Sequence, residues 1–301
     1  MFISSLIKGT LHPLAFSLRW WIYRLFARFI PDENYIAWQY RKRFGQHPNL
    51  QNPETFNEKI QWLKLHFRPA VLTQCADKYE VRKFVNNRVG TEILNELYGV
   101  YNHPEDINLD TLPDAFVLKV NHGCKQNIIC TNKQQLDWYY AMRMLKHWLK
   151  VNNYFHSREW AYKNITPKII CERYLNEGGK PLKDYKISCF GGVPRFISVH
   201  TDRYGTQQNV SFFDVEWNYI SSRKHLHQDI KLEKPKDLDK MIDYARRLSE
   251  GFPFVRVDFY YVNQKIYFGE MTFYPAGGIK KFVPEEYDAI FGSYLQLPQL
   301  Q

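Results

Sequence analysis

The stretch FVRVDFYYVNQKIYFGEMTFYP, from Phe254 to Pro275, decides how the rest of the chain is interpreted. Its many Val, Ile, Phe and Tyr residues predict two strands joined by a short polar connection at Asn263-Gln264. Side chains alternate between faces along a strand, so Arg256 and Asp258 share one face, while Glu270 lies on the second strand. Charged groups within apolar strands cost free energy unless they are paired, so these three charges need partners.

The connection decides whether the charges of the two strands meet. With a two-residue loop, Val257 lies opposite Glu270, and Asp258 points to the other face. With a three-residue loop, or an equivalent bulge, Arg256 lies opposite Glu270 and Asp258 is a diagonal neighbour on the same face. Only this second register brings two carboxylates together as hard oxygen ligands for Mg²⁺ with nucleotide phosphates, beside an arginine for a phosphoryl group. The alternative, a cross-strand salt bridge on a half-exposed hairpin, stays equally open.

Composition narrows the class of protein. The 301 residues are 45% hydrophobic and 17% aromatic, which is typical of a folded protein with two or three cooperating subdomains. The net charge of +10 favours an acidic partner: a nucleic acid, a phosphate-bearing small molecule, an anionic glycan or a membrane surface. Five scattered cysteines without a C-x-x-C pair argue against a disulfide framework and a zinc site, so we expect a cytoplasmic location.

Residues 1–30 are apolar, aromatic and basic. Within Leu14 to Ile30, three arginines (Arg19, Arg24 and Arg28) argue against a membrane-spanning helix, and no small-residue cleavage site indicates a signal peptide. The pattern predicts a basic amphipathic helix. This helix either lies at the inner face of the cell membrane, as a peripheral contact, or docks on protein, and the sequence leaves both open.

The following region is mostly helical. Thr55 and Glu58 form a helix start signal for a helix that runs through Leu65, and a second helix is predicted over Ala76–Asn87. Short strands come next, beginning with Leu97–Tyr101.

A strand over Phe116–Val120 carries Lys119, and a polar loop, Asn121–Asn127, leads into a strand over Ile128–Thr131. The loop is either a flap whose backbone N–H groups cover nucleotide phosphates or an ordinary hairpin connection. Residues 134–153 predict an amphipathic helix.

Further strands and one helix are predicted in the second half of the chain: strands over Lys168–Leu175, Tyr185–Phe190, Pro194–His200 and 211–220, and a helix over Asp237–Ser249. Asp184 and Lys186 share one face of their strand. They either face a bound anion or form a surface pair.

Six segments carry a resemblance to a known family: FNEKIQWLKL (Phe56–Leu65), ADKYEVRKFV (Ala76–Val85), FVLKVNHG (Phe116–Gly123), REWAYKNITPKIICERYL (Arg158–Leu175), DYKISCFGGVPRFI (Asp184–Ile197) and GFPFVRVDFYYVNQKIYFGEMTFYPAGG (Gly251–Gly278). Together they resemble the ATP-grasp superfamily, specifically its TupA-like branch of teichuronopeptide biosynthesis. The resemblance covers the chain from about Pro31 to Phe282 in the order of the family's own segments.

The resemblance implies an α+β ATP-grasp fold, in which two α/β subdomains clasp ATP, preceded by a mostly helical N-terminal region. The implied division is the N-terminal helix 1–30, a pre-ATP-grasp region 31–114, a subdomain 115–182 with the flap and the adenine hinge, and a C-terminal subdomain 183–301 with the Mg-phosphate site.

The resemblance also implies nucleotide-binding residues, which come from the strand before the flap, the flap, the hinge and the strand after it: Lys119, Asn121, His122, Gly123, Glu172, Arg173, Tyr174, Leu175 and Asp184. Lys119 would contact the ATP phosphates. Backbone edges of residues 172–175 would meet the adenine, and Asp184 would lie near the ribose.

Catalytic and metal-binding roles follow in the same way. Arg256 would steady the transferring phosphoryl group, and Lys186 would reach the phosphates or the bound carboxylate. Asp258 and Glu270 would hold Mg²⁺. Many relatives carry Asn where this chain has Thr272, which is a poorer ligand that acts through water. The flap differs as well, since it reads Gly-Cys-Lys where relatives often have Gly-Ser-Gly.

By the same resemblance, the chain would be an ATP- and Mg²⁺-dependent carboxylate–amine ligase of surface polysaccharide biosynthesis. It would join an anionic glycan, or its lipid-linked precursor, to an amino compound through an acyl phosphate. Phosphoryl transfer of this kind needs positioning and charge neutralisation more than a covalent nucleophile.

Three alternatives remain. A glycosyltransferase would need a metal-binding D-x-D, and Asp237-Leu238-Asp239 offers one only at a predicted helix start, where acids are common. A nucleic-acid-binding protein fits the charge, but the basic residues are spread out and no RNP-like or zinc-finger pattern occurs, so nucleic acid is disfavoured. The third alternative is a scaffold that has kept the fold and lost catalysis.

Overall fold

The structure, a computed structural model, describes residues 25, 29–179, 181–201, 209–222 and 232–299. Within these residues, helices form an N-terminal layer: α1 (Asp32–Phe44), α2 (Phe56–His66), α3 (Ala70–Ala76) and α4 (Val81–Val89). Most of the predicted N-terminal helix 1–30 lies outside the described residues. Among the described residues, no helix has the length and apolar character needed to cross a membrane.

The start of α2 confirms the sequence prediction. The backbone N–H of Glu58 donates to Thr55 Oγ1 (3.3 Å), and the backbone N–H of Thr55 donates to Glu58 Oε2 (3.2 Å). These reciprocal hydrogen bonds satisfy N–H groups that have no partner within the helix.

The helix predicted over Ala76–Asn87 forms, but its predicted start is wrong: Ala76 ends α3, residues 77–80 form a turn, and α4 begins at Val81. The Asp77 side chain accepts hydrogen bonds from the backbone N–H of Tyr79 (2.8 Å) and of Glu80 (3.2 Å). This local pairing competes with helical hydrogen bonds and turns the chain between α3 and α4.

The first sheet of the described structure has four antiparallel strands in the order β1-β4-β2-β3: β1 (Leu97–Tyr101), β2 (Phe116–Val120), β3 (Asn127–Cys130) and β4 (Ile169–Arg173). The helix α5 (Trp138–Trp148), shorter than predicted, packs Leu145 and Trp148 against this sheet, and the short helix α6 (Tyr154–Ser157) follows. Because β1 pairs with β4, this sheet takes one strand from the region before residue 115.

The second sheet has six antiparallel strands among the described residues, in the order β10-β9-β5-β6-β7-β8: β5 (Asp184–Phe190), β6 (Val193–Thr201), β7 (Asn209–Asp214), β8 (Tyr219–Ser222), β9 (Phe254–Val262) and β10 (Lys265–Thr272). The helix α7 (Leu238–Ser249) precedes β9, and α8 (Tyr287–Tyr294) follows β10.

The two faces of the second sheet differ in chemistry. Val255, Val257 and Phe259 of β9 are completely buried in the larger hydrophobic core, to which α7 contributes Met241 and Leu248. Because side chains alternate along a strand, Arg256 and Asp258 of the same strand point to the opposite face. The apolar face therefore builds the core, and the other face carries the charged residues.

The β9–β10 hairpin has neither of the two registers considered from the sequence. Its turn is the two-residue Asn263-Gln264, with positive φ at both residues (50° and 58°), as in the tight hairpin turns that suit twisted strands. The pairing then shifts by one residue between Phe268 and Glu270, so that Gly269 is an extra residue in β10. This bulge sets Glu270 directly opposite Asp258, and not opposite Arg256.

Candidate active site

A row of charged side chains crosses three adjacent strands of the second sheet. Asp258 of β9 lies directly opposite Glu270 of β10 on one side and Lys186 of β5 on the other. Directly opposite residues on neighbouring strands point to the same face, so the three side chains form one ladder. We call Glu270, Asp258 and Lys186 the charged ladder. Asp258 and Lys186 are buried.

Arg256 joins the charged ladder from the next position on the same face of β9. Its Nε donates to Asp258 Oδ1 (2.6 Å), and its Nη2 donates to Asp258 Oδ2 (2.7 Å). The same Nη2 lies 3.1 Å from Thr272 Oγ1 and 3.5 Å from Glu270 Oε1. The guanidinium therefore spans both carboxylates and the threonine hydroxyl, which is opposite Arg256 in the strand pairing.

Lys186 completes the contacts of Asp258. Its ammonium group donates to Asp258 Oδ2, and it also lies 3.6 Å from Oδ2 of Asp184, two residues earlier in β5. Asp184 is itself buried. The sequence expectation that Asp184 and Lys186 share one face is confirmed, and the two side chains form a buried pair, not a surface pair.

Electrostatics keep the two candidate metal ligands ionised. Burial works to raise the pKa of Asp258, but Arg256 and Lys186 outweigh it, and the pKa lies below its ordinary value. Burial also works to raise the pKa of Glu270, and Lys78 with the other neighbouring cations lowers it below its ordinary value. Both groups are therefore carboxylates near neutral pH.

Lys78 is a functional candidate that the sequence reasoning missed. It follows Asp77 in the turn between α3 and α4, and its Nζ donates to the carbonyl oxygen of Gly123 (2.6 Å). The same Nζ lies 3.7 Å from Glu270 Oε2. Lys78 thus connects the loop after β2 with the charged ladder. Its segment was part of the family resemblance, but the predicted helix over this region gave no reason to single out one lysine.

Two predicted nucleotide-binding residues meet in the first sheet. Lys119 Nζ donates to Glu172 Oε2 (2.7 Å), and Glu172 Oε1 lies 3.3 Å from Nη1 of Arg82, a second residue that sequence reasoning missed. The ammonium group of Lys119 is therefore held by a carboxylate from β4. Arg82 also donates to the carbonyl oxygen of Asn95 (2.8 Å), which fixes the guanidinium beside the strand.

The first predicted flap residue, Asn121, is buried. Its Nδ2 donates to Asp77 Oδ2 (2.8 Å) and to the carbonyl oxygen of Thr166 (2.9 Å). Its Oδ1 accepts from the backbone N–H of Lys168 (2.7 Å). Both the amide nitrogen and the amide oxygen of this side chain therefore have hydrogen-bond partners within the protein.

His122 is equally buried, and its ring contacts Asn121 Oδ1 (3.1 Å) and the carbonyl oxygen of Val151 (2.8 Å). Burial lowers the pKa of His122. The next residue, Gly123, has no room for a side chain, because a Cβ would lie 1.8 Å from Gln126 Oε1 and 2.7 Å from Val120 Cγ2. If this loop binds a nucleotide, it does so through its backbone. Nucleotide binding by the loop stays a prediction.

The predicted hinge lies at the end of β4. Arg173 is the last residue of the strand, and Tyr174 and Leu175 follow without regular structure. The backbone N–H of Arg173 donates to the carbonyl oxygen of Glu96 (2.9 Å), and its carbonyl oxygen accepts from Asn95 Nδ2 (2.8 Å). Their contact with adenine stays a prediction.

The D-x-D tripeptide lies apart from the charged ladder. Asp237 precedes α7 and accepts a hydrogen bond from the hydroxyl of Tyr261 (2.7 Å), while the side chain of Asp239 is 90% exposed. The helix α7 packs on the apolar face of the sheet, where Cys189 Sγ lies 3.8 Å from the carbonyl oxygen of Ala245. These acids are therefore on the opposite side of the sheet from Asp258.

Comparison with protein-family models assigns the chain to a family. The model described as TupA-like ATPgrasp matches residues 58–296, which is most of the chain. The chain belongs to the TupA-like ATP-grasp family, and its fold is the α+β ATP-grasp fold with a helical N-terminal region. Membership in this family supports an ATP-dependent ligase. A search of curated proteins found no match.

Solved structures similar to this chain include two D-alanine–D-alanine ligases. The ligase from Bacillus anthracis, complexed with ATP, is 15% identical with a TM-score of 0.42, covering 74% of this chain and 63% of that chain. The ligase from Helicobacter pylori is 13% identical with a TM-score of 0.42, covering 75% of this chain and 59% of that chain. This chain therefore spans less than two thirds of the length of either ligase.

A RimK domain ATP-grasp protein from Sphaerobacter thermophilus is 9% identical with a TM-score of 0.43, covering 76% of this chain and 70% of that chain. Similarity at this level assigns no role to any residue of the site.

Proposed function

We propose that this chain is an ATP- and Mg²⁺-dependent carboxylate–amine ligase of surface polysaccharide biosynthesis. The observation that carries the proposal is the direct pairing of Asp258 with Glu270 across the β9–β10 hairpin, with the guanidinium of Arg256 against both. Membership in the TupA-like ATP-grasp family supports the same class of reaction.

The donor atoms of the ladder fit a magnesium ion that is shared with phosphates. Mg²⁺ is usually held by one or two carboxylates together with substrate phosphates and water. Asp258 and Glu270 supply two ionised carboxylates, and Thr272 would add a contact through water. Among the described residues, no group of three or more His, Cys, Asp or Glu side chains could hold a metal by itself. When bound, Mg²⁺ would neutralise phosphate charge.

The two cations beside Asp258 would then contact the phosphoryl group. Arg256 and Lys186 both rest on Asp258, and a phosphoryl group beside that carboxylate would give them a second anion. The planar guanidinium of Arg256 suits two-point contact with a phosphoryl group, whereas the ammonium group of Lys186 acts as a point charge for the phosphates or the bound carboxylate. Such fixed charges stabilise phosphoryl transfer without reorganisation at the moment of reaction.

We propose that ATP binds between the two sheets of the described structure. Lys119 would leave its carboxylate partner to contact the phosphates, and backbone groups from Glu172 to Leu175 would meet the adenine. Asp184 would lie near the ribose, and the backbone of Gly123 would cover the phosphates. In this proposal, residues 115–182 and 183–301 form the two clasping subdomains.

The reaction balances as two displacements. The γ-phosphoryl group of ATP moves to a carboxylate oxygen of the acid, which releases ADP and forms an acyl phosphate. The amine then attacks the acyl carbon, a proton leaves the nitrogen, and phosphate departs with the cleaved oxygen. A loop held over the site would keep water from the acyl phosphate.

We propose an anionic glycan, or its lipid-linked precursor, as the acid and a separate amino compound as the amine. The net charge of +10 supports an anionic partner. Residues 1–30 would hold the protein at the inner face of the cell membrane or would pack on protein.

The test is ligand-induced thermal stabilisation. ATP with Mg²⁺ should raise the melting temperature of the wild-type protein, because a ligand that binds only the folded state stabilises it. The double variant Asp258→Ala/Glu270→Ala should lose the shift, and Glu270→Gln, which keeps the side-chain size, should reduce it. Glu233→Ala/Asp239→Ala, which removes two exposed acids, is the matched control and should keep the shift.

Absence of a shift in the wild-type protein would overturn the proposal. Release of a nucleoside diphosphate from a sugar donor without ATP would instead establish a glycosyltransferase. Mass spectrometry of the polysaccharide from a strain lacking the protein should reveal loss of one amide-linked substituent, which would identify the acid and the amine together.

A further inference from the structure

A groove of about 270 Å³ opens between strands β6 to β8 of the second sheet and the segment from Lys280 to α8. Its walls combine aromatic rings, among them Phe196, Phe212, Phe282 and Phe291, with two lysines, Lys280 and Lys281. We call it the aromatic groove. None of these residues belongs to the proposed nucleotide or metal site.

The strand register places the floor of the aromatic groove on the same face of the sheet as the charged ladder. Lys186 lies opposite Ser198 of β6, and Ser198 lies opposite Phe212 of β7. Arg256 lies opposite Ser188, which lies opposite Phe196. Phe212 is thus two strands from Lys186, or roughly 10 Å at the usual strand spacing. A substrate in the groove could therefore extend to the ladder.

The floor of the groove is a packed aromatic cluster. Phe196 and Phe291 are stacked, with ring centroids 4.3 Å apart and an angle of 17° between the rings. Phe282 and Tyr287 contact Phe291 at 5.3 Å and 5.4 Å between centroids. Phe56, at the start of α2, meets the edge of Phe291 at 6.5 Å and ties the cluster to the core. These rings are held in place before any ligand binds, which lowers the entropy cost of binding.

One lysine is held over the same rings. Lys280 Nζ lies 4.6 Å from the centroid of Phe282 and 5.3 Å from that of Phe212. Its backbone is fixed on both sides by Asn57, whose Oδ1 accepts from Lys280 N–H (3.0 Å) and whose Nδ2 donates to the Lys280 carbonyl oxygen (2.8 Å). Lys281 is the exposed neighbour. The groove therefore pairs apolar ring faces with a positively charged wall.

We propose that the aromatic groove binds one carboxylate-bearing sugar residue of the saccharide that the charged ladder acts on, an inference that rests on the proposed function. Aromatic faces carry a negative quadrupole and attract the C–H groups on one face of a sugar ring. The ammonium groups of Lys280 and Lys281 pair with the sugar carboxylate. A volume near the lower limit of small-molecule sites, about 300 Å³, suits a single ring. Two ammonium groups at the wall favour an acid over an acyl chain.

The test is calorimetric titration with a tetramer of glucuronic acid, with the matched tetramer of glucose as the neutral probe. The wild-type protein should bind the acidic tetramer and bind the neutral one more weakly. Lys280→Ala/Lys281→Ala should weaken binding of the acidic tetramer by about tenfold or more, as expected for loss of charge-assisted hydrogen bonds. Phe212→Leu, which keeps an apolar side chain but removes a ring, should weaken the binding of both tetramers.

Lys234→Ala/Lys236→Ala is the matched control, because it removes two exposed lysines that precede α7 and should leave binding unchanged. The melting temperature of each ligand-free variant reports whether it is folded. The inference is overturned if no variant differs from the wild type, if both tetramers bind equally, if the acidic tetramer does not bind, or if phosphatidylglycerol vesicles displace it.

The saccharide titration needs no nucleotide, so its failure is distinguishable from failure of the proposed function. A wild-type protein that is stabilised by ATP with Mg²⁺ but does not bind the acidic tetramer loses only the groove assignment. A protein that binds the tetramer but is not stabilised by the nucleotide keeps the groove as a saccharide site and loses the ligase proposal.

Discussion

Arg256 donates two hydrogen bonds to Asp258, its neighbour two residues along the same strand, through Nε (2.6 Å) and Nη2 (2.7 Å). Both side chains lie on the charged face of β9, and Asp258 is 3% exposed. A two-point ion pair between neighbouring positions on the same face of one strand fixes the carboxylate orientation that the candidate metal site depends on.

Removal of this guanidinium should destabilise the protein strongly. Arg256→Ala leaves the buried Asp258 carboxylate with Lys186 as its one ion-pair partner among the described residues, and breaking a buried ion pair costs about 3–5 kcal/mol. Urea unfolding at neutral pH measures the free energy of unfolding. Arg246→Ala, which removes an exposed partner of Asp243, should cost less than about 0.5 kcal/mol. Equal losses in the two variants would contradict the prediction.

Removal of the Lys78 ammonium should loosen the loop after β2. In Lys78→Met the carbonyl oxygen of Gly123 loses its charged donor, so we expect amide hydrogen exchange over residues 123–126 to speed up by about tenfold. Lys83→Met, at an exposed position of α4, is the control. Unchanged exchange in Lys78→Met would mean that the contact does not hold the loop.

Crowding at the bulge should destabilise the hairpin. A Cβ at Gly269 would lie 3.0 Å from the carbonyl oxygen of Asp258, so Gly269→Ala forces the two strands to shift. We expect a loss of about 1–2 kcal/mol in the free energy of unfolding, together with a smaller melting-temperature shift on addition of ATP with Mg²⁺. Lys265→Ala, at an exposed position of the same strand, should change neither quantity. A Gly269→Ala protein as stable as the wild type would count against a tight bulge.

Lys64 gives the protein a distinctive pH dependence. Burial lowers the pKa of Lys64 to about 8, while Nζ donates to Gln61 Oε1 (2.9 Å) and to the carbonyl oxygens of Ser157 (2.9 Å) and Gly277 (2.6 Å). Between pH 8 and about 10.4, the unfolded chain binds this proton and the folded chain does not. The contribution of Lys64 to the free energy of unfolding therefore rises with pH in this window, by up to about 3 kcal/mol.

Comparison of variants isolates this contribution from other titrating groups. The difference in free energy of unfolding between the wild type and Lys64→Gln should grow in favour of the wild type from pH 7.5 to pH 10. The difference between the wild type and Lys83→Gln, at an exposed position, should stay constant. A pH-independent difference for Lys64→Gln would show that the lysine titrates normally.

The sequence predicts most strands because their apolar runs are clear. Leu97–Tyr101 and Phe116–Val120 form as predicted, and so does the hairpin at Asn263-Gln264. The register of that hairpin could not be predicted, because the sequence does not indicate whether a single glycine in an apolar strand pairs with the neighbouring strand or is an extra, unpaired residue. Gly269 is the extra residue, and it decides which side chain faces Asp258.

Contacts between distant segments also could not be predicted from the sequence. Lys78 and Arg82 contact Glu270 and Glu172, which lie far away in the chain, and local patterning carries no signal of such pairs. Asn121 likewise donates hydrogen bonds to two residues that are distant in the sequence, Asp77 and Thr166. The charged ladder was partly accessible, because alternation places Arg256 and Asp258 on one face whatever their partners are.

The start of α2 has a consequence for biosynthesis of the chain. Asn57 is held by Asp288, with its backbone N–H 2.9 Å from Oδ1, and Lys59 Nζ donates to the carbonyl oxygens of Gly292 and Leu295 (2.9 Å each). These partners are synthesised more than two hundred residues later. On the ribosome, these polar groups of α2 therefore gain their partners only after residues 288–295 have been synthesised, and the N-terminal layer lacks those contacts while the intervening chain emerges.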